Sequence, residues 1–360
     1  MAAYTTIDDP SAHFQVAAYT GNGGTLAVTN DGGSDLQPDL IWIKSRSSVG
    51  TEHHLMDSTR GFGSGNENTP NSSSNSTEAE YSRDIFSSTG ITSDGFSLDP
   101  YSDTNTNTAT YVAWQWKANS GTRTTNAESG NNPGGGYQAN TTGGFSVIDY
   151  VGTGGAGTMA HGLGAVPHLM LVKSRDGAYD WAVYHHKLTS APETDRLLLN
   201  TTGATDDSDA EWNDTAPTSS VFTIGTGNSP NRDGDDYIAY LWSEKQGYSK
   251  FGGYTGNGAA EGAFVYTGFR PAYLLVKRFN TTGEWGVFDH KRNTFNVATA
   301  QLKVNATEVE EVNGAVDFCA YGFKLRETSV FMNGDGDTYV YVAFAEAPFV
   351  NSNGVPGNAR

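Results

Sequence analysis

An apolar run that opens on proline and closes on lysine occurs three times at one fixed length: PDLIWIK at 38–44, PHLMLVK at 167–173 and PAYLLVK at 271–277. A glycine phrase precedes each run, YTGNG at 19–23, YVGTG at 150–154 and YTGNG again at 254–258. Later in each copy come GFSL at 95–98, VFTI at 221–224 and GFKL at 322–325, and each closes on YVAW at 111–114, YIAY at 237–240 or YVAF at 341–344. The copies therefore run roughly 14–117, 145–243 and 248–347, each the size of a small domain. Copies two and three carry histidine just after the second strand, in WAVYHH at 181–186 and WGVFDH at 285–290, and copy one reaches EHH at 52–54 by a shorter route.

Runs of four to six apolar residues bounded by Pro or Gly are buried strands, because proline's missing N–H is harmless at a strand's first position. Turn residues separate them, and sustained helical periodicity is scarce. Several short strands per 100 residues must hide one apolar face on another, which predicts an all-β fold of three tandem antiparallel β-sandwich domains of jelly-roll or lectin-like form. The expected division is residues 1–118 for the first sandwich, with an inserted loop at 63–80; a Gly/Asn/Thr-rich linker at 119–144; 145–246 for the second; and 247–360 for the third.

The formal charge of −18, from 22 basic and 40 acidic side chains, repels phosphate and anionic lipid, so neither nucleic acid nor a membrane is an expected partner. No apolar run approaches the roughly 20 residues that cross a bilayer, and the N-terminal stretch lacks the pattern of a secretory signal. The one cysteine, Cys319, cannot form an internal disulfide and sits in an apolar context as a small buried hydrophobe.

The repeated polar residues are weighed as scaffolding. A phosphate-binding glycine loop needs a following helix, which is lacking here, so the glycine phrase is a turn. His53, His54, His185, His186 and His290, with Asp289 beside the last, recur; neighbours on a strand point to opposite faces, so they are structural rather than chelating. The Asp-rich stretches at 231–236 and 333–338 crowd oxygen ligands but lack EF-hand spacing and serve as hairpin turns. Lys44, Lys173 and Lys277 are expected to lay their stems on apolar surface and hold their ammoniums in water. Trp42, Trp114, Trp116, Trp181, Trp242 and Trp285 are core residues. Trp212, in a polar loop, is the indole expected to be exposed and able to stack on a sugar. No nucleophile elbow, zinc triad or phosphate loop is present, so no catalytic, cofactor-binding or metal residue is assigned and the protein is not expected to be an enzyme.

Taken together, YTGNG, PDLIWIKSR, HHLMDSTRG, SDGFSL and YVAWQWKA resemble an uncharacterised repeat domain of virion proteins from tailed bacteriophages, many of them marine. The resemblance implies a β-rich particle component, usually labelled tail fibre or structural protein. The expectation is a homotrimeric tail-fibre or tail-tip protein that contacts other virion proteins and host surface glycan, assembled in the host cytoplasm and carried outside on the particle. A capsid decoration or head-fibre accessory protein is the alternative, and a polysaccharide-degrading enzyme the lower one.

Overall fold

The computed structural model describes residues 4–63, 65 and 68–358, and it is an all-β protein of antiparallel sheets. Each repeat lays two sheets face to face. In repeat 1, Phe14–Thr20, Thr110–Trp116, Leu40–Ser45 and His54–Asp57 form the inner sheet in that spatial order. Leu26–Thr29, Gly95–Leu98 and Phe86–Thr92 form the outer one. Alternation along a strand feeds two cores at once. Ile41 and Ile43 point into the sandwich with Phe86, Phe96 and Leu98, whereas Leu40 and Trp42 point the other way. Repeat 2 repeats the plan with Asp236–Trp242 central and Gly157–Ala160 paired to Val221–Ile224 outside. In repeat 3 the strands join into one eight-stranded, barrel-like sheet through Ala298–Lys303 and Glu311–Cys319.

The faces turned away from the sandwiches meet one another. A single cluster combines Trp42, Trp114 and Trp116 of repeat 1 with Leu171, Tyr240 and Trp242 of repeat 2 and Tyr273, Val342 and Phe344 of repeat 3. Trp116 meets Trp242 and Phe344 edge-on at 5.8 and 5.6 Å between ring centres. The first and last hundred residues thus share a core, and the sandwiches close into a ring about it.

The register places Tyr111, Tyr237 and Tyr339 at corresponding points, each opposite the tyrosine of its glycine phrase. The counterpart of YVAW in the third copy is therefore Tyr339–Val342, two residues earlier than the match YVAF suggested. A two-residue slip leaves every side chain on its own face, so alternation alone does not detect it.

Residues 119–144, expected as a linker, contribute Thr124–Asn126 and Gly135–Asn140, which extend the inner sheet of repeat 2 beyond Phe145–Val151. Residues 63–80, expected as an insertion, hold Thr69–Asn71 paired with Tyr81–Arg83; positions 64, 66 and 67 lie outside the described residues.

Candidate functional site

The polar residues that recur are spent where one repeat meets the next. In repeat 1, His53 accepts the Trp42 indole N–H on Nδ1 at 2.9 Å, so its Nε2–H donates to Lys303 O of repeat 3 at 3.0 Å. Trp181 of repeat 2 donates to Ser73 O of repeat 1 at 2.9 Å, and Trp285 of repeat 3 to Leu198 O of repeat 2 at 3.0 Å. The backbone N–H of each of these three donates to an asparagine, Asn75, Asn200 or Asn305, at 2.9 Å. His53 therefore corresponds to Trp181 and Trp285, not to His185.

The three lysines follow the same cycle. Lys44 Nζ reaches Thr307 O at 3.5 Å, Lys173 reaches Thr77 O at 3.1 Å and Lys277 reaches Thr202 O at 3.0 Å. All three side chains are buried, which corrects the expectation of ammoniums in water. Burial pushes each of them down to about 8, and backbone carbonyls take the place of solvent.

Two of the three junctions are further clamped by buried ion pairs. Between repeats 1 and 2, Arg60 binds Asp57 at 2.6 Å and Glu80 at 3.1 Å, Tyr240 donates to Asp57 at 2.8 Å, and Arg175 binds Glu80 at 2.9 Å. Between repeats 3 and 1, Arg292 binds Asp289 at 2.6 Å and Glu310 at 3.2 Å, the Trp114 indole donates to Asp289 at 3.1 Å, and Arg46 binds Glu310 at 2.8 Å. Burial pushes the Asp289 carboxyl up, but the Arg292 guanidinium holds it below the ordinary value. At the junction of repeats 2 and 3 the corresponding places hold His185, Leu188 and Thr205, with Phe279 where the outer arginine would stand. His185 Nε2 lies 3.1 Å from Tyr341 O and its Nδ1 accepts from Lys187 N at 3.2 Å.

The glycine phrases are turns pinned by a buried asparagine. Asn105, Asn231 and Asn333 each accept from the phrase's fourth residue, at 3.0, 2.8 and 3.0 Å. A Cβ on Gly21, Gly152 or Gly256 would stand 2.2 Å from a carbonyl oxygen of the facing loop, and Gly23, Gly154 and Gly258 take φ of +67°, +69° and +61°, so only glycine fits. The Asp-rich stretches are the loops that carry Asn231 and Asn333. In them Asp235 turns to Arg232, Asp236 to Arg175, and Asp337 to Arg278 and Asn280.

Trp212 is 1% exposed and packs on Tyr184. It corrects the expectation of a sugar-stacking indole: the short helix Asp209–Trp212 turns the ring inward under the outer sheet of repeat 2. Cys319 is half-buried, and burial raises its thiol.

His168, His186 and Glu244 bring ligand atoms within 4.8 Å of one another. His168 Nδ1 accepts from the Glu244 backbone N–H at 3.0 Å, which leaves the proton on Nε2 and no free lone pair. His186 Nε2 faces Phe251 O at 2.7 Å, and Lys250 occupies Glu244 at 2.6 Å. These residues fit a satisfied hydrogen-bond cluster and do not fit a metal ion.

The exposed aromatic side chains gather on repeat 3. Phe264 and Tyr266 lie two apart on one strand and so face the same way. They are 44% and 53% exposed, and Tyr321, 44% exposed, meets them at 5.2 and 6.3 Å between ring centres. The Tyr4 hydroxyl lies 3.2 Å from that of Tyr266. Beside them opens a cleft of about 280 Å³ lined by Tyr4, Tyr266, Thr267, Gln246 and the Glu244–Lys250 pair. Sequence reasoning missed this platform because its residues lie far apart in the chain and belong to no repeated phrase.

The chain is thus a three-repeat β-sandwich protein whose repeated polar residues bind the repeats together. It belongs to the family described as a domain of unknown function, DUF7483, whose model matches residues 9–348 and so takes in all three repeats as one unit. No curated protein and no solved structure was found to match it.

Proposed function

We propose that this protein is a non-enzymatic structural component of a phage particle, in a tail fibre or tail tip, that touches host surface glycan through the repeat 3 aromatic platform. The observation that carries the reading is the platform itself, Phe264, Tyr266 and Tyr321 exposed together beside a cleft with hydrogen-bonding groups and a self-neutralised ion pair. Such rings offer a flat apolar face at low entropy cost, and the flanking amide, hydroxyl and charged groups suit hydroxyls. The virion assignment rests on the sequence resemblance. The platform occurs on one repeat of the three, so avidity calls for several copies of the chain, and a homotrimer is the proposed arrangement.

A second reading is favoured by the closed ring of sandwiches about one core, since such a compact body suits a capsid decoration or head-fibre accessory protein. Host-cell and glycan-array binding by the purified protein tests the first. Tyr266→Ala and Phe264→Ala should each weaken binding about tenfold, which is about 1.4 kcal/mol. Undiminished binding by both variants, or localisation to capsomers with no binding at all, would discard the glycan reading. Release of reducing sugar from host polysaccharide would instead favour an enzyme.

A further inference from the structure

In repeat 2 the open side of the sandwich is plugged by the chain itself. Gly135–Asn140 pairs antiparallel with Phe145–Val151, Gly135 opposite Tyr150 and Asn140 opposite Phe145. Val151 N–H donates to Gly134 O at 3.0 Å. The preceding turn reaches the outer sheet as well: Asn131 O accepts from Thr153 Oγ1 at 3.0 Å and Asn132 Oδ1 from Thr158 N at 2.8 Å.

Repeat 1 has the same side and lacks the plug. Phe14–Thr20 ends its inner sheet and Leu26–Thr29 its outer one, with no further strand among the described residues. Phe14 and Phe145 correspond, since each lies opposite the equivalent tryptophan, Trp116 or Trp242. Ala18 and Thr20 therefore correspond to Asp149 and Val151, whose N–H and C=O groups face the plug, because both groups of one residue point the same way in an antiparallel ladder. Ala18 and Thr20 are exposed. Along this edge runs a groove of about 360 Å³ between Val16–Tyr19 and Ala27–Thr29, with Asp31 and Lys291 at its rim, joined by 2.6 Å. A second hollow of about 230 Å³ adjoins it and shares Val16, Asp31 and Lys291. In repeat 3 the carbonyl that corresponds to that of Val16, Phe251 O, is taken by His186, while Gly253 and Thr255, the counterparts of Ala18 and Thr20, are exposed.

We infer that the open side of sandwich 1 is a docking edge for an extended segment of a partner polypeptide, which adds antiparallel to Val16–Thr20 as residues 134–140 add to the second sandwich. Main-chain hydrogen bonds from Ala18 and Thr20 supply the affinity, and the groove beside them sets the side chains admitted. The plug of repeat 2 indicates the occupant's chemistry. Gly135 is required opposite Tyr150 because a Cβ there would stand 2.1 Å from Asp149 O, so the partner segment carries a glycine opposite Tyr19. Asp31 and Lys291 neutralise each other at the rim, which suits an uncharged segment.

A synthetic peptide of residues 131–141, NNPGGGYQANT, is the probe, titrated into the full chain with fluorescence polarisation and amide hydrogen exchange as readouts. Saturable binding with slowed exchange at Ala18 and Thr20 is expected. Ala18→Pro removes an outward N–H and no ladder bond of its own sheet, so it should weaken binding at least tenfold with an unchanged melting temperature. Absence of binding at millimolar peptide, equal binding by a scrambled peptide, or protection that appears at Asp149 and Val151 instead would overturn the inference. The exchange readout on the unaltered protein stands even if the proline variant folds poorly.

Discussion

Trp181 and Ser73, 108 residues apart, meet in a 2.9 Å hydrogen bond between an indole N–H and a backbone carbonyl, and this one contact joins two repeats. Its counterparts at His53 and Trp285 complete a cycle in which each repeat donates to the one before it, and the first to the third. The repeats are therefore parts of one cooperative body, and their junctions decide its stability.

Removal of one partner of a buried ion pair leaves the other charge unpaired. Arg60→Leu strands Asp57 among Leu55, Tyr240 and the shared core, and should cost about 3–5 kcal/mol. Urea unfolding of the variant against the parent measures it. The double change Asp57→His with Arg60→Leu copies the pair His185 and Leu188 and should recover part of the loss.

Gly21→Ala forces a methyl against Thr106 O, 2.2 Å away, and should destabilise the chain by about 1–3 kcal/mol. Gly24 has nothing nearer than 3.7 Å, so Gly24→Ala should lie within about 0.5 kcal/mol of the parent. Equal melting temperatures for the two would contradict the turn geometry.

Burial holds His185 at about 3 and His186 at about 4, below the ordinary 6.5 or so. Between those values the unfolded chain binds protons that the folded chain refuses. Stability is complete above about pH 6.5 and declines as pH falls toward 3. His168, Lys187, Glu244 and Lys250 surround these rings, and the junction lacks the arginine clamps of the other two. Hydrogen exchange at Phe251 and Val342 should therefore rise first on acidification, and His185→Gln should flatten the decline.

The buried lysines act at the other end of the scale. Held at about 8, they shed protons that the unfolded chain keeps up to about 10.4. Stability should therefore rise from about pH 8 to about pH 10. Denaturant midpoints across that range measure it, and Lys173→Met should reduce the rise.

Trp212→Ala opens a cavity under the outer sheet of repeat 2 and should cost about 3–5 kcal/mol. Glycan binding per folded molecule should not change, since the ring is buried in the repeat 2 sandwich and lines neither the platform nor its cleft.

The sequence by itself determined the recurring strands, the turns and the number of copies. Proline, glycine and alternation act locally, and the glycine phrases required no partner to be recognised as turns. It also carried a signal that went unread: Asn-x-Thr recurs as NST at 75–77, NTT at 200–202 and NAT at 305–307, the segment whose asparagine and threonine carbonyl serve each junction. That signal would have shown residues 63–80 to be a matching part of the repeat. Only the tertiary structure decided that the sandwiches share a core, that Lys44 is dry, that Trp212 faces inward and that residues 135–140 complete a sheet. A strand's alternation says that both faces are occupied but not by what, because the second face of each inner sheet is covered by residues of the other repeats.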